Sequence, residues 1–162
     1  MPYQLKNILY ATDLGPNCPV AFRHALGLAR SFGARLHLLN VMEPLGEFAH
    51  SLIDSYLSDE VKANLKREGY SEIRREVERR LGQVCADAGC SGDEMQAMIE
   101  DLVAEEGVPF EVIIDRAKAV GADLIVLGSR GHTALGEMLL GSVAHKVTMK
   151  SPVPVLLVPI HH

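Results

Sequence analysis

The chain has 162 residues, of which 48% are hydrophobic and 23% charged, and its net charge is −5. That length suits one compact domain, and the apolar content excludes wholesale disorder. The mild acidity argues against non-specific binding to nucleic acid, which needs a basic face to displace counterions.

The first element is the apolar run Ile8-Leu9-Tyr10-Ala11, which breaks at Thr12-Asp13-Leu14-Gly15-Pro16 and reads as a buried strand ending in a polar loop. Pro19 suits the first turn of a helix. Ala21, Phe22, Ala25, Leu28, Ala29 and Phe32 follow at helical spacing, and Gly33 makes a C-terminal stop. A second strand is expected over Arg35–Met42, which completes a β-α-β unit. Residues 43–57 read as a loop with some local helix.

Ser58-Asp59-Glu60 then opens a long helix, with a capping hydroxyl and two carboxylates at the positive end of the helix dipole. Val61, Leu65, Ile73, Val77, Leu81 and Val84 are its expected buried stripe, and the charged run Arg74–Arg80 its solvated face. A third strand is expected over Met95–Val103. Pro109 opens the next helix, with Phe110, Ile113, Ile114, Ala117 and Val120 inward and Gly121 closing it. Asp123–Leu127 is the clearest strand, a continuous apolar run that suits cover on both faces. A last helix over Ser142–Lys150 and a last strand over Val153–Val158 end the pattern. This alternation predicts one α/β domain over residues 1–162, a parallel sheet with helices on both faces.

No apolar run approaches the roughly 18 residues that span a bilayer. The first residues lack the basic start and apolar stretch of a signal peptide. A cytoplasmic protein without membrane insertion is expected. The three cysteines include no CxxC pair and read as reduced packing thiols.

The strongest chemical signal starts where the fourth strand ends. Gly128-Ser129-Arg130-Gly131 and Gly141-Ser142 give the spacing G-x2-G-x9-G-S. Glycines there let the backbone turn tightly and approach a ligand. A helix start with free N–H groups and a serine hydroxyl is an anion site. Together these parts describe a loop that wraps a polyphosphate; serving turns and close helix packing is the plainer alternative. Neither the Walker A loop nor the G-x-G-x-x-G fingerprint is present. Asp13, just past the first strand, faces the same crevice if the first and fourth strands are neighbours. Its carboxylate could ligate Mg²⁺ beside the phosphates, or cap the loop that enters the first helix. His132 lies within the loop, where phosphate contact and simple solvation are both open. His24, His37 and His145 fall within regular elements and read as structural.

This constellation resembles the universal stress protein family along essentially the whole chain. The carrying segments are Ile8–Asp13, Leu127–His132, Leu140–Ala144 and Pro152–Val158. The glycine spacing is that of the family's nucleotide-binding branch. The resemblance implies a Rossmann-like open sheet of five parallel strands in order 3-2-1-4-5. It also implies that Asp13 approaches the phosphates or ribose and that the backbone of Val41 hydrogen-bonds adenine. Gly128, Arg130, Gly131 and His132 would line the ribose and phosphate path, and Gly141, Ser142 and Val143 would close on the phosphates. The same matching adds the flanking Ala11, Thr12 and Leu127. ATP, or ADP or AMP, is the implied ligand, with Mg²⁺ and with hydrolysis slow or absent. The implied role is a stress or signalling protein whose nucleotide occupancy sets a conformation read by an unknown protein partner. The alternatives are a slow Mg²⁺-dependent nucleotide hydrolase or phosphotransferase using Asp13, and a nucleotide-free interaction protein. The chain lacks the serine-glycine-glycine phosphate motif of related adenylating enzymes.

The last strand carries a second message. Pro152 and Pro154 cannot donate ladder hydrogen bonds and so fit an edge strand or the approach to one. Val155-Leu156-Leu157-Val158 is nonetheless apolar, a liability on an open edge. Pairing with a second copy through Val153, Val155 and Leu157 would cover it with two-fold symmetry, and the resemblance also implies such a homodimer. A shielding helix or tail is the alternative.

Overall fold

A computed structural model of the chain describes residues 3–12, 18–42, 55–87, 91–129 and 140–160. Five strands are present: β1 (Asn7–Thr12), β2 (Arg35–Met42), β3 (Ile99–Glu106), β4 (Leu124–Gly128) and β5 (Val155–Val158). Among the described residues the main helices are α1 (Cys18–Phe32), α2 (Asp59–Asp87), α3 (Gly92–Met98), α4 (Pro109–Val120) and α5 (Ser142–Lys150). All strand pairs are parallel and the order is β3-β2-β1-β4-β5, as expected.

The two faces of the sheet follow from the period-2 alternation of strand side chains. Ile8, Tyr10, Leu36, Leu38, Leu124 and Val126 meet Ala21, Phe22, Ala25, Leu26 and Ala29 of α1. On the other face Leu9, Ala11, Leu39, Ile125 and Leu127 meet Ile113 and Ala117 of α4 and Val147 of α5. Tyr10 and Phe22 lie with ring centroids 5.5 Å apart. Each fully buried side chain of this size contributes about 1.5–3 kcal/mol of transfer free energy, so β1, buried on both faces, anchors the fold.

Two helices end in the same device. Gly33 and Gly121 both adopt φ near +64°, a left-handed conformation that a Cβ would strain. The next residue in each case donates back into the helix, Ala34 N to Ala29 O and Ala122 N to Ala117 O, both at 2.9 Å. These are Schellman closures. Each delivers the chain straight into a strand, with Arg35 N donating to Lys6 O and Asp123 N to Asn7 O, both at 2.8 Å.

The structure corrects four expectations. The third strand runs over Ile99–Glu106, and Met95 to Met98 belong to α3. The reason is a capping signal: Ser91 accepts from Glu94 N at 3.1 Å, with Asp93 and Glu94 in the first turn. Phe32 is 51% exposed, because the helix closes at its end and leaves its ring beyond the sheet. Val61 is likewise exposed, so the stripe expected in α2 does not begin there. Finally, β5 starts at Val155, because Pro154 has no N–H to donate and only its carbonyl reaches β4, from Ile125 N at 3.0 Å.

Candidate nucleotide site at the sheet switch point

Parallel strands put their carboxyl ends on one side, so Thr12, Met42 and Gly128 end at the same rim of the sheet. The chain order reverses between β1 and β4. The two pair from Ile8↔Leu124 to Tyr10↔Val126, whereas β1 continues to Thr12 and β4 to Gly128. Past Tyr10 and Val126 the two strands no longer pair, and this rim of the switch point is the place of the crevice where α/β folds of this kind receive ligands.

The walls of that crevice can be named. Ala11 and Leu127 are buried in the second-face core, so they can offer a ligand only their main chain. Val41, at the end of β2, is half-buried and packs against the same core. Thr12 is held from the side: the buried Asn40 donates from Nδ2 to the Thr12 carbonyl at 3.0 Å. An amide in the otherwise apolar Leu38-Leu39-Asn40-Val41 was the available signal for that contact, which the sequence reading missed.

On the other wall, Ser129 follows β4 and Gly141 precedes α5. Gly141 N donates to Ser129 O at 2.8 Å, so the two ends of the glycine-rich stretch meet. Gly141 is the N-cap of α5 and offers no side-chain acceptor to the first turn. The N–H groups of Ser142, Val143 and Ala144 come before the first intrahelical bond, His145 N to Gly141 O at 2.9 Å. A helix start of this kind favours an anion through its exposed donors and its dipole. Ser142 is exposed and Val143 half-buried against the core. Asp13, Arg130, Gly131 and His132 lie outside the described residues, as do 43–54 of the segment after β2. Among the described residues, no cluster of three or more His, Cys, Asp and Glu could hold a metal ion.

The opposite rim carries a different polar group. His37 is 5% exposed; its Nε2 lies 3.0 Å from Asn7 Oδ1 and its Nδ1 3.2 Å from Asp101 Oδ2. The second contact is an ion-pair distance without hydrogen-bond alignment. Arg116 of α4 donates from Nη2 to the same carboxylate oxygen at 2.6 Å. This set ties β1, β2, β3 and α4 together, as the structural reading of His37 requires. An open hollow of ≈ 750 Å³ beside it is lined in part by Tyr3, Lys6, Phe32 and Arg35. It lies at the amino ends of the strands, away from the switch point. His24 and His145 are exposed on their helices.

A parallel five-stranded sheet in the order β3-β2-β1-β4-β5, with helices on both faces and a switch point between β1 and β4, defines a Rossmann-like α/β protein. The model of the universal stress protein family matches residues 4–159, and the chain belongs to that family. It is similar to the universal stress protein YxiE of Bacillus subtilis, with 32% identity over 93% of this chain and 97% of that protein. Universal stress protein MJ0577 of Methanocaldococcus jannaschii is 29% identical over 98% of this chain and 97% of its own. The solved structure of MJ0577 matches with a TM-score of 0.71 and covers 99% of both chains. A universal stress protein solved in complex with cAMP matches with a TM-score of 0.63 and 25% identity, over 96% of this chain and 98% of its own. No helix among the described residues is long and apolar enough to cross a membrane.

Proposed function

We propose that this chain is a cytoplasmic stress-response protein of one domain that binds an adenine nucleotide, ATP or its products ADP and AMP, in the crevice between β1 and β4. One observation carries the reading: the crevice opens where the two ends of the glycine-rich stretch are hydrogen-bonded together, directly before the uncapped start of α5. The α5 N–H groups and Ser142 would take the phosphates. The backbones of Ala11, Thr12, Val41 and Leu127 would follow the base and ribose, and Gly128, Arg130, Gly131 and His132 would line the ribose and phosphate path. Asp13 would hold Mg²⁺ together with phosphate oxygens, the usual way this ion is kept by one carboxylate and its substrate; bound there, the ion would neutralise phosphate charge. Occupancy would set a conformation read by a protein partner, and β5 would pair two copies into a homodimer.

The deciding experiment uses protein purified without added nucleotide, denatured, with the released small molecules separated and weighed by mass spectrometry. About one equivalent of ATP is expected. ADP or AMP in its place would favour the hydrolase, which multiple-turnover phosphate release lost in Asp13→Ala would establish. A protein that releases nothing, and binds no added ATP, ADP, AMP or cAMP by calorimetry, would overturn the reading in favour of a nucleotide-free interaction protein. Cyclic AMP belongs in that screen because the relative solved with it is similar over nearly the whole chain.

A further inference from the structure

Ser129 carries more of the site than its place in a turn requires. Its N–H donates to Val158 O at 2.9 Å, the last rung between β4 and β5. Its carbonyl accepts from Gly141 N at 2.8 Å and closes the neck of the glycine-rich stretch. Its hydroxyl accepts from Ile160 N at 3.0 Å. Three segments therefore hang from one residue: the sheet, the start of α5 and the tail that follows β5.

The first two bonds use the main chain, and any residue at this position would make them. The third needs a side-chain acceptor close to the backbone. The reason lies in the tail. The regular strand ends at Val158, Pro159 occupies an outward-facing position, and Ile160, whose side chain is buried at 4% exposure, brings its N–H back to the β4 side. Its N–H is then satisfied by the Ser129 hydroxyl. Geometry makes that bond matter for a ligand. The N–H groups at the start of α5 can meet phosphate oxygens only in a narrow range of distance and angle. Their position relative to the end of β4 is set through Gly141 and Ser129. A Ser129 pinned on the β5 side by both its N–H and its Oγ holds that spacing.

Building on the nucleotide reading above, we infer that Ser129 is a positioning residue for the nucleotide. Its hydroxyl fixes the end of β4, and through Gly141 the start of α5, to the tail of β5, so nucleotide occupancy at that helix start and order in the tail are energetically linked. Linkage is reciprocal, since what the tail contributes to binding, binding returns to the tail.

The test measures Mg·ATP affinity by calorimetry in wild type, Ser129→Ala and Ser129→Thr, alongside amide exchange at Ile160 with and without ATP. Ser129→Ala should weaken ATP binding about three- to tenfold, the size of one neutral hydrogen bond, while Ser129→Thr, which keeps the hydroxyl, should restore it. In wild type, ATP should slow exchange at Ile160, a residue on the far side of the neck; in Ser129→Ala that slowing should vanish. A purely structural serine would lower the melting temperature and leave both readouts unmoved. Equal ATP affinity in wild type and Ser129→Ala, or Ile160 exchange indifferent to ATP in wild type, overturns the inference and spares the nucleotide site. A wild-type protein that binds no nucleotide overturns both. If Ser129→Ala does not fold, Ser129→Thr and the wild-type exchange measurement still decide.

Discussion

The two edges of the sheet are built on opposite principles. β3 runs for eight residues and carries Glu100, Asp101, Glu105 and Glu106. β5 has four residues, Val155 to Val158, none of them charged, between Pro154 and Pro159. An open edge is a template for another strand, and charges along it repel one. β3 is therefore guarded by its own side chains. β5 is short but apolar, with Val155, Leu156 and Leu157 only half-buried. The contrast separates the edges by what each can accept: β3 repels a further strand, and β5 is the edge that the homodimer proposed above would use.

The largest expected effect breaks that contrast at β5. The carbonyls of Pro154 and Val158 accept from Ile125 and Ser129, so residues 154, 156 and 158 face β4. Val155 and Leu157 then direct their N–H groups outward. Leu157→Pro removes one outward donor and leaves the bonds to β4 in place. Sedimentation equilibrium should find the wild type dimeric and this variant monomeric, with association weakened at least about a hundredfold, since a proline in mid-strand stops ladder pairing. A variant that dimerises like the wild type would move the interface elsewhere.

The next effect concerns how β3 is held. Asp101 receives Arg116 from α4 and faces His37, in a place where its side chain is 31% exposed and that of Arg116 22%. β5, by contrast, is held to the second-face core by Val155 and Leu157. Asp101→Ala leaves a partly sheltered guanidinium without its carboxylate and should cost about 1–2 kcal/mol in urea unfolding, below the figure for a fully buried pair because water still reaches both groups. Amide exchange should rise in β3 before β5. A loss below about 0.3 kcal/mol would show that the bridge contributes only what exposed surface pairs do.

The same contrast explains what could be read in the sequence. Central elements were legible because their patterns have one reading. Arg35–Met42, Pro109–Val120 and Ser142–Lys150 stand within the bounds that glycine, proline and apolar spacing predicted. The third strand was misplaced by four residues at its start, because Met95 and Met98 look apolar whether they sit in a strand or in a short helix capped by Ser91. Phe32 satisfied the helical spacing and still points to solvent, since periodicity says nothing of where the sheet beneath ends. The crevice could be anticipated from Asp13 and the glycines only on the condition that β1 and β4 be neighbours, which the topology supplies. The amide of Asn40 stood out in an apolar run, but its partner, the Thr12 carbonyl, and the third bond of Ser129 were illegible, because each depends on a group brought near by the fold.

The smallest effect separates sheltered from exposed charge on the β3 side of the molecule, where α2 packs against both α1 and β3. Glu76 of α2 accepts from Arg79 and Arg80 at 2.8–3.0 Å. The hydrogen bond from Arg79, then that from Arg80, lowers its pKa from the usual 4.5 to about 2. A carboxylate whose folded pKa is depressed contributes stability in full above its unfolded value, and that contribution is lost as pH falls toward the folded one. The window is therefore pH 4.5 down to about 2. Glu76→Gln should lose less stability than wild type across it, with the two curves converging at its acid end. Because Arg79 is 68% exposed and water also reaches Glu76 and Arg80, the difference should be small and should fall further in 1 M salt, where the screening length is about 3 Å. The Asp101–Arg116 bridge, partly withdrawn from solvent, should keep most of its contribution there. Were both pairs equally sensitive to salt, the shelter around Asp101 would count for nothing, and its bridge to Arg116 would add no more to the hold on β3 than an exposed pair does.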